Sequence, residues 1–258
     1  MYRRLRILLL TAATALLLHA QSDEISTDRP DYTESTDTVG RGIGQFEGGL
    51  VWTSQAPRHT LTVPDALLRI GVVRRLELRL SSDGFVRESV LGNGTWERNS
   101  GGADLAIGAK LALTGEKRLL PALSVIGALS LPVGSERFSS GGYDPFFKLC
   151  WSKSLPKAFD AGGNVVVLLA TAGPGTLVQH AVSLSVGHKL PGGLRGFWEV
   201  YRISPYAGQT IADTGLSKVL GKNVEIDVSA GHTLLAHTPS WFLSAGFAIR
   251  RPLGSLFR

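Results

Sequence analysis

Residues 25–36 read ISTDRPDYTEST, a stretch that sets Asp28, Asp31 and Glu34 at every third position around Arg29 and Pro30. Carboxylates so spaced could offer oxygens to a hard cation such as Ca²⁺, which takes roughly six to eight of them. The stretch lacks the glycine-bearing tight loop of a calcium motif, however, and Arg29 would repel the ion. The expectation is instead a strap that pairs Asp28, Asp31 and Glu34 with Arg and Lys of whatever surrounds it. Two other chemistries can be weighed. Nucleophilic hydrolysis needs a serine, a base and an orienting group within hydrogen-bond reach. His180 and His188 share one face of their segment while Ser183 and Ser185 take the other, so a serine from elsewhere, Ser124 or Ser244, would have to serve. No G-x-S-x-G context is present. His232, His237 and Asp213 lack the cysteine or third close ligand of a zinc site. No catalytic residue, metal or cofactor is expected, and the chain reads as a non-enzyme.

The elements that would position these residues begin after an N-terminal leader. MYRRLRILLLTAATALLLHA carries Arg3, Arg4 and Arg6, an apolar run from Ile7 to Leu18, and the small residue Ala20. That is the layout of a secretory signal peptide, expected at 1–20. Its apolar run is shorter than the roughly 20 residues of a spanning helix. Beyond it no comparable run occurs, although 43% of the chain is hydrophobic and only 19% charged. The apolar residues must therefore be dispersed by some period. One cysteine, Cys150, excludes an internal disulfide in an exported chain, so stability must come from packing and backbone pairing. The 27 basic residues fall to 24 without the three leader arginines, against 21 acidic ones. No nucleic-acid partner is implied.

The period is two. LELRLS (76–81) sets Leu76, Leu78 and Leu80 against Glu77 and Arg79; VEIDVSAG (224–231) sets Val224, Ile226 and Val228 against Glu225 and Asp227. Such segments are half-buried strands. The count gives about twelve: 44–53, 66–73, 76–82, 103–113, 121–131, 143–152, 160–170, 178–188, 194–203, 209–219, 223–231 and 240–250. Short connectors at 74–75, 114–120, 153–159, 189–193 and 220–222 alternate with long ones at 54–65, 83–102 and 132–142. An even number of strands near ten residues, with short turns at one end, matches an all-β, antiparallel transmembrane barrel of the bacterial outer membrane. In hydrocarbon every backbone N–H and C=O must be paired, which a closed sheet alone achieves with strands. Trp52, Trp151, Trp198 and Trp241 share the apolar parity, as an interfacial girdle requires.

At this point the sequence resembles a known family. ISTDRPDYTEST, GQFEGGLVWT, LLRIGVVRRLELRL, GGADLAIGAKLAL, LSLPVGS, GYDPFFKLCWS and SWFLSAGFAIR look like successive blocks of the outer-membrane transporter-like proteins named after the meta-pathway of phenol degradation. The resemblance implies an outer-membrane β-barrel with a transport role and supplies no catalytic residues. One departure is the end of the chain, where RPLGSLFR follows the last strand and Pro252 cannot donate to a ladder.

The resulting organisation is a leader at 1–20, a periplasmic strap or lumen segment at 21–42, a barrel at 43–250 and a tail at 251–258. Partners are outer-membrane lipid, the barrel-assembly machinery and a small solute, in the outer membrane of a Gram-negative bacterium. Closing the sheet would turn Glu47, Arg69, Glu77, Arg79, Asp104, Lys110, Asp144, Lys148, Arg195, Glu199, Lys218, Glu225 and Asp227 inward. Phe146, Phe197, Tyr201 and Phe242 could add an aromatic lumen patch. Twelve strands leave a narrow bore, so the expectation is passive passage of small solutes, aromatic or amphipathic ones among them, through a charged lumen. The alternative is a structural or lipid-modifying barrel without a solute path.

Overall fold

The computed structural model describes residues 24–173, 175–204, 208–236 and 238–254. The expected leader, His237 and Phe257 lie outside them. Among the described residues fifteen strands form one sheet: β1 (Ile43–Gln55), β2 (Arg58–Val63), β3 (Ala66–Val73), β4 (Leu76–Ser82), β5 (Phe85–Gly92), β6 (Thr95–Gly102), β7 (Leu105–Thr114), β8 (Ala122–Leu131), β9 (Asp144–Ser154), β10 (Phe159–Ala172), β11 (Gly175–Leu190), β12 (Leu194–Ser204), β13 (Gln209–Leu220), β14 (Val224–Leu235) and β15 (Trp241–Pro252). Every pairing is antiparallel. The last strand returns to the first, from Ile43 opposite Pro252 to Ser54 opposite Trp241. The sheet is thereby closed, and its wall is the twelve strands β1, β3, β4, β7 and β8 to β15. No helix among the described residues is long and apolar enough to cross a membrane; crossing falls to the strands.

The sidedness follows from the period. In β1, Gln45 and Glu47 are buried inside while Phe46 and Leu50 face out. In β14, Glu225 and Asp227 are inside and Ile226 and Val228, about half exposed, are outside. Trp52, Trp151, Trp198 and Trp241 keep outward parity, and Trp52 meets Trp241 edge-on at 4.4 Å. The outer surface is thus apolar and aromatic because lipid, not water, is its solvent.

Three findings correct the sequence reading. The segments 54–65 and 83–102, expected as long loops, hold strands. The upper half of β1 pairs with β2, then β2 with β5 and β5 with β6, above the stretch where β1, β3, β4 and β7 form the wall. Val63 opposite Phe85 lies three residues beyond Ala66 opposite Ser82 on both chains, so the ladder continues upward without a change of register. This upper storey is wall prolonged past the membrane, interrupted only at 64–65, 83–84 and 103–104. Its tip is the hairpin turn Asn93-Gly94, both at positive φ, the sequence signal that marks a tight hairpin.

Second, Lys218 points outward rather than in. It lies on the side of Leu216 and Leu220, while Asp213 and Ser217 are buried inside. The small residues on both faces of this strand leave its parity weakly marked in sequence, and a lysine near a strand end can extend its ammonium to the interface. Third, strands run longer than read: β10 and β11 span 14 and 16 residues, and β15 reaches Pro252, whose missing N–H is tolerated at a strand end. A membrane needs only about 9–11 residues per strand, so the excess projects beyond it.

Candidate functional site

Residues 25–42 enter from the end with short turns, where the Ile25 N–H meets the Lys222 carbonyl at 3.0 Å, loop through the lumen and feed into β1. A segment with no ladder of its own, placed inside a barrel, must find partners for its backbone elsewhere. The wall charges provide them. Glu47 accepts the N–H groups of Asp28 and Arg29 at 2.9 and 3.1 Å. Glu199 accepts those of Tyr32 and Thr33 at 2.7 and 2.8 Å, and the Thr33 hydroxyl as well. Glu77 accepts that of Val39 at 2.7 Å. Arg69 donates to the carbonyls of Ser26 and Asp37 at 3.0 and 2.8 Å.

The strap's own carboxylates complete the arrangement. Asp28 meets Arg79 at 2.7 Å and Lys110 at 2.8 Å, and closes the loop on itself by accepting the Ser35 N–H and hydroxyl. Glu34 bridges Arg79 at 2.7 Å and Lys148 at 2.6 Å. Arg69 lies between Glu47 and Glu77 at 3.0 and 2.9 Å. On the far side Arg29 reaches Asp65 at 2.5 Å, Asp227 at 3.3 Å and the Ser244 hydroxyl at 2.8 Å. Glu47, Arg69, Glu77 and Lys110 are each 0% exposed, so this side of the bore is filled, not open to water.

Asp31 stands apart from its two companions. It accepts only from the Ser185 hydroxyl, at 3.2 Å, and lies toward Glu199, which faces Asp213 directly across the β12–β13 ladder. The three strap carboxylates therefore do not converge on one point, as a calcium site would require. Among the described residues Asp31, Glu199, Asp213 and Glu225 form no salt bridge, and Asp213 Oδ1 is buried without a partner. Beside them a cleft of about 410 Å³ opens, bordered by Asp31, Ser185, Phe197, Ser217 and Glu225. The lumen is thus divided: a neutralised, packed side along β1 to β9 and an acidic side along β11 to β14.

The two sides titrate in opposite directions. Burial would raise the Asp28 carboxyl, but Arg69, then Lys110 and Arg79, hold it well below the usual range. Burial of Glu34 is likewise outweighed by Arg79 and Lys148, which bring it to about 2. Asp31 is pushed up to about 8, by burial first and by Glu199 second, with Arg195 only partly opposing. A lowered carboxyl stabilises the seated strap above its ordinary pKa and loses that contribution as pH falls. A raised one has its full contribution below its ordinary pKa and loses it as pH rises through the shifted value. Asp28 and Glu34 are thus at full strength throughout the neutral range, and the contribution of Asp31 to seating falls from about pH 4 to about pH 8, then levels off. Protease sensitivity of residues 25–42 should rise over that window, and Asp31→Asn should flatten the profile; a wild-type profile flat from pH 4 to 8 would remove Asp31 from the account.

The remaining sequence-derived positions fall as follows. Arg195 has inward parity at the periplasmic mouth, where it pairs with Asp160 at 2.6 Å. Asp104 lies in the bend between β6 and β7 and accepts the N–H groups of Gly134 and Ser140 at 3.0 and 2.9 Å, so it holds the 132–142 loop rather than lining the bore. Asp144, at the opposite end of the bore, accepts the Thr171 N–H at 2.8 Å. Phe146, Phe197, Tyr201 and Phe242 all face in but do not touch one another. Phe197 lies over Gly215 and Phe242 over Gly231, where a Cβ would collide with the ring. Tyr201 stacks on Tyr32 of the strap at 4.3 Å. His180 and His188 face out, His188 stacked on Phe159, whereas Ser124, Ser183, Ser185 and Ser244 face in. Sequence reasoning missed Gln45 and Asp65 as strap partners and Tyr32 as the strap residue that stacks on Tyr201, and placed Asp213 only in a zinc reading. Gln45 was legible, two residues before Glu47 on a strand of period two; Asp65 was not, because it sits in the break between β2 and β3.

A closed barrel of twelve strands with a charged strap through its lumen invites comparison with known proteins. The sequence profile of the family described as "Putative MetA-pathway of phenol degradation" matches residues 27–250, from the strap to the last strand. The chain belongs to this family. No curated protein matches it by sequence. Among solved structures it is similar to an outer-membrane channel of Pseudomonas putida F1, with a TM-score of 0.61 at 14% identity, over 91% of this chain and 100% of that one. It is also similar to the KdgM porin in complex with disordered oligogalacturonate (TM-score 0.54, 8% identity, 80% and 98% covered) and to the NanC porin (TM-score 0.51, 11%, 78% and 98%). At such identities the likeness is one of fold: this family member has the architecture of outer-membrane channels and porins.

Proposed function

We propose that this protein is a passive outer-membrane channel for small cationic or neutral solutes, without chemistry of its own. The observation that carries the reading is the asymmetry of lumen charge. Each inward base at the level of the strap, Arg29, Arg69, Arg79, Lys110 and Lys148, is engaged by a carboxylate. The carboxylates of the wall left over, Glu199, Asp213 and Glu225, lie toward the unfilled side, and Asp31 beside them carries its charge only as pH rises toward 8. Lys153, Lys189 and Arg195 also line the cleft at its mouth, but deeper in, at Glu199 and Asp213, a solute meets wall carboxylates without a basic partner, a negative field that concentrates cations and repels anions. The separated rings of Phe146, Phe197, Tyr201 and Phe242 support selection by charge better than by an aromatic track. The outward histidines and inward serines lie on opposite faces of the wall, which supports a non-catalytic role.

The test is single-channel recording of the purified protein in a planar bilayer under a salt gradient. The expected reversal potential is that of a cation-preferring pore, and Glu199→Gln with Asp213→Asn should lower the cation-to-anion permeability ratio several-fold. A conducting pore that prefers anions would overturn the charge assignment. A folded protein that never conducts would favour a barrel without a solute path.

A further inference from the structure

The outward face of the described strands carries no carboxylate. Glu47, Glu77, Glu88, Glu97 and every other Asp or Glu within β1 to β15 has inward parity. The upper storey shows the segregation most sharply. Glu88 lies on its inner face, bound by Arg58 at 2.7 Å and Arg137 at 2.5 Å. Arg87 and Arg98, on neighbouring strands of its outer face, are exposed and have no hydrogen-bond or salt-bridge partner among the described residues. Around them the same face sets apolar and aromatic groups, with Phe85 50% and Trp96 47% exposed.

A hairpin bathed in water has no reason to set its unpaired arginines and large apolar rings on one face and its acids, with Arg58 bound to one of them, on the other. This face continues the lipid-facing wall. Trp52, opposite Leu61, lies in the hydrogen-bonded row that runs on to Arg87, and a ladder of rings from Trp241 through Trp52 and His59 to Trp96 crosses from the barrel onto the storey. Arg87 opposes Ser100 and Arg98 opposes Ser89, which makes the two arginines diagonal neighbours, roughly 7–8 Å apart at the backbone. Two guanidinium forks at that spacing can hold one phosphate between them, while an indole beside them offers a flat apolar surface with a polar edge.

The geometry points to a binding surface for the phosphorylated sugar headgroup of outer-leaflet lipopolysaccharide, clamped by Arg87 and Arg98 with its sugar against Trp96. The assignment uses the outer-membrane setting of the barrel but not the solute path, so it stands or falls separately from channel selectivity. A simple phospholipid supplies the phosphate without the sugar, and a free phosphate supplies neither sugar nor chains to lie along Phe85 and the wall. Binding at this surface would anchor the storey at the membrane face and hold the mouth of the bore in place.

The experiment is native mass spectrometry of the detergent-solubilised protein with bisphosphorylated lipid A, read as the fraction of protein carrying the lipid. The wild type should retain it, and Arg87→Ser with Arg98→Ser should lower apparent affinity by about tenfold or more, the loss expected for two charge-assisted contacts. Arg202→Ser, which removes an outward cation elsewhere on the extracellular half, should have little effect. Dephosphorylated lipid A should bind the wild type as weakly as lipid A binds the double variant, a comparison that needs no substitution. Equal retention by wild type and double variant overturns the proposal. So does equal retention of lipid A and phosphatidylglycerol, which would reduce the surface to a general anionic-lipid contact.

Discussion

Asp28→Asn combined with Glu34→Gln is expected to unseat the strap and enlarge the pore. The two carboxylates engage Arg79, Lys110 and Lys148 at 2.6–2.8 Å in a region closed to water. Removing one partner from a buried ion pair costs roughly 3–5 kcal/mol, because the other charge is left without compensation. Here three bases lose partners at once, and the cheapest relief is for the loop to leave and let water in. Residues 25–42 should become protease-sensitive, single-channel conductance should rise, and the freed bases should shift selectivity toward anions. Adding Asp31→Asn should change the outcome little, since that side chain holds only the Ser185 hydroxyl. A chelator added to the wild type should have no effect, because the oxygens of Asp28 and Glu34 already face Arg and Lys. A folded double variant with unchanged conductance and a protected strap would show that these pairs neither seat the segment nor limit the pore.

The second large effect separates the two faces of the wall. Leu78→Arg and Ile226→Arg place a charge on positions that are half exposed to the outside, and near the bilayer midplane such a charge costs roughly 2–4 kcal/mol. A general rule that lumens tolerate substitution would make inward changes mild by comparison. That rule fails on the packed side of this barrel. Arg69→Leu would leave Glu47, 0% exposed, without a basic partner, leave Glu77 with Arg79 alone, and release the carbonyls of Ser26 and Asp37, a loss of roughly 3–5 kcal/mol. Arg79→Leu should cost less, because Asp28 keeps Lys110, Glu34 keeps Lys148 and Glu77 keeps Arg69. On the acidic side, Ser217→Ala removes an inward hydroxyl with small consequences. Heat-modifiable electrophoretic migration and urea midpoints should therefore rank Ser217→Ala far above Leu78→Arg, Ile226→Arg and Arg69→Leu. If Arg69→Leu assembled as well as Ser217→Ala, the strap contacts would not be supporting the fold.

The storey and the 132–142 loop supply a smaller lesson about extracellular structure. Arg137 crosses from that loop to Glu88, and the Ser135 N–H bonds the Gly102 carbonyl at 2.9 Å. These ties join a true loop to prolonged strands, and neither is visible in local periodicity. The Asn93-Gly94 turn was visible, yet VRESVL and TWERNS flank it with adjacent charges, Arg87-Glu88 and Glu97-Arg98, in a way that also suits a solvated loop.

The sequence by itself determined the barrel. Period-two patterning survives wherever one face meets lipid, because a single-residue slip would carry Glu47, Glu77 or Asp227 into hydrocarbon. It therefore marked the twelve wall strands, the girdle tryptophans and the inward charges other than Lys218 and Asp104 with little need of tertiary knowledge. It also indicated that Asp28 and Glu34 would pair with Arg and Lys. The tertiary structure alone decided which bases those were, since Arg79, Lys110 and Lys148 are brought to Asp28 and Glu34 only when three strands far apart in the chain curve around one bore. It alone separated Asp31 from its two neighbours, because a loop that folds back on itself sends equally spaced residues in different directions. Lys218 took the outer side and Asp213 the inner for a related reason: a strand with small residues on both faces has no local preference, and its register comes from its neighbours through the hydrogen bonds of the closed sheet.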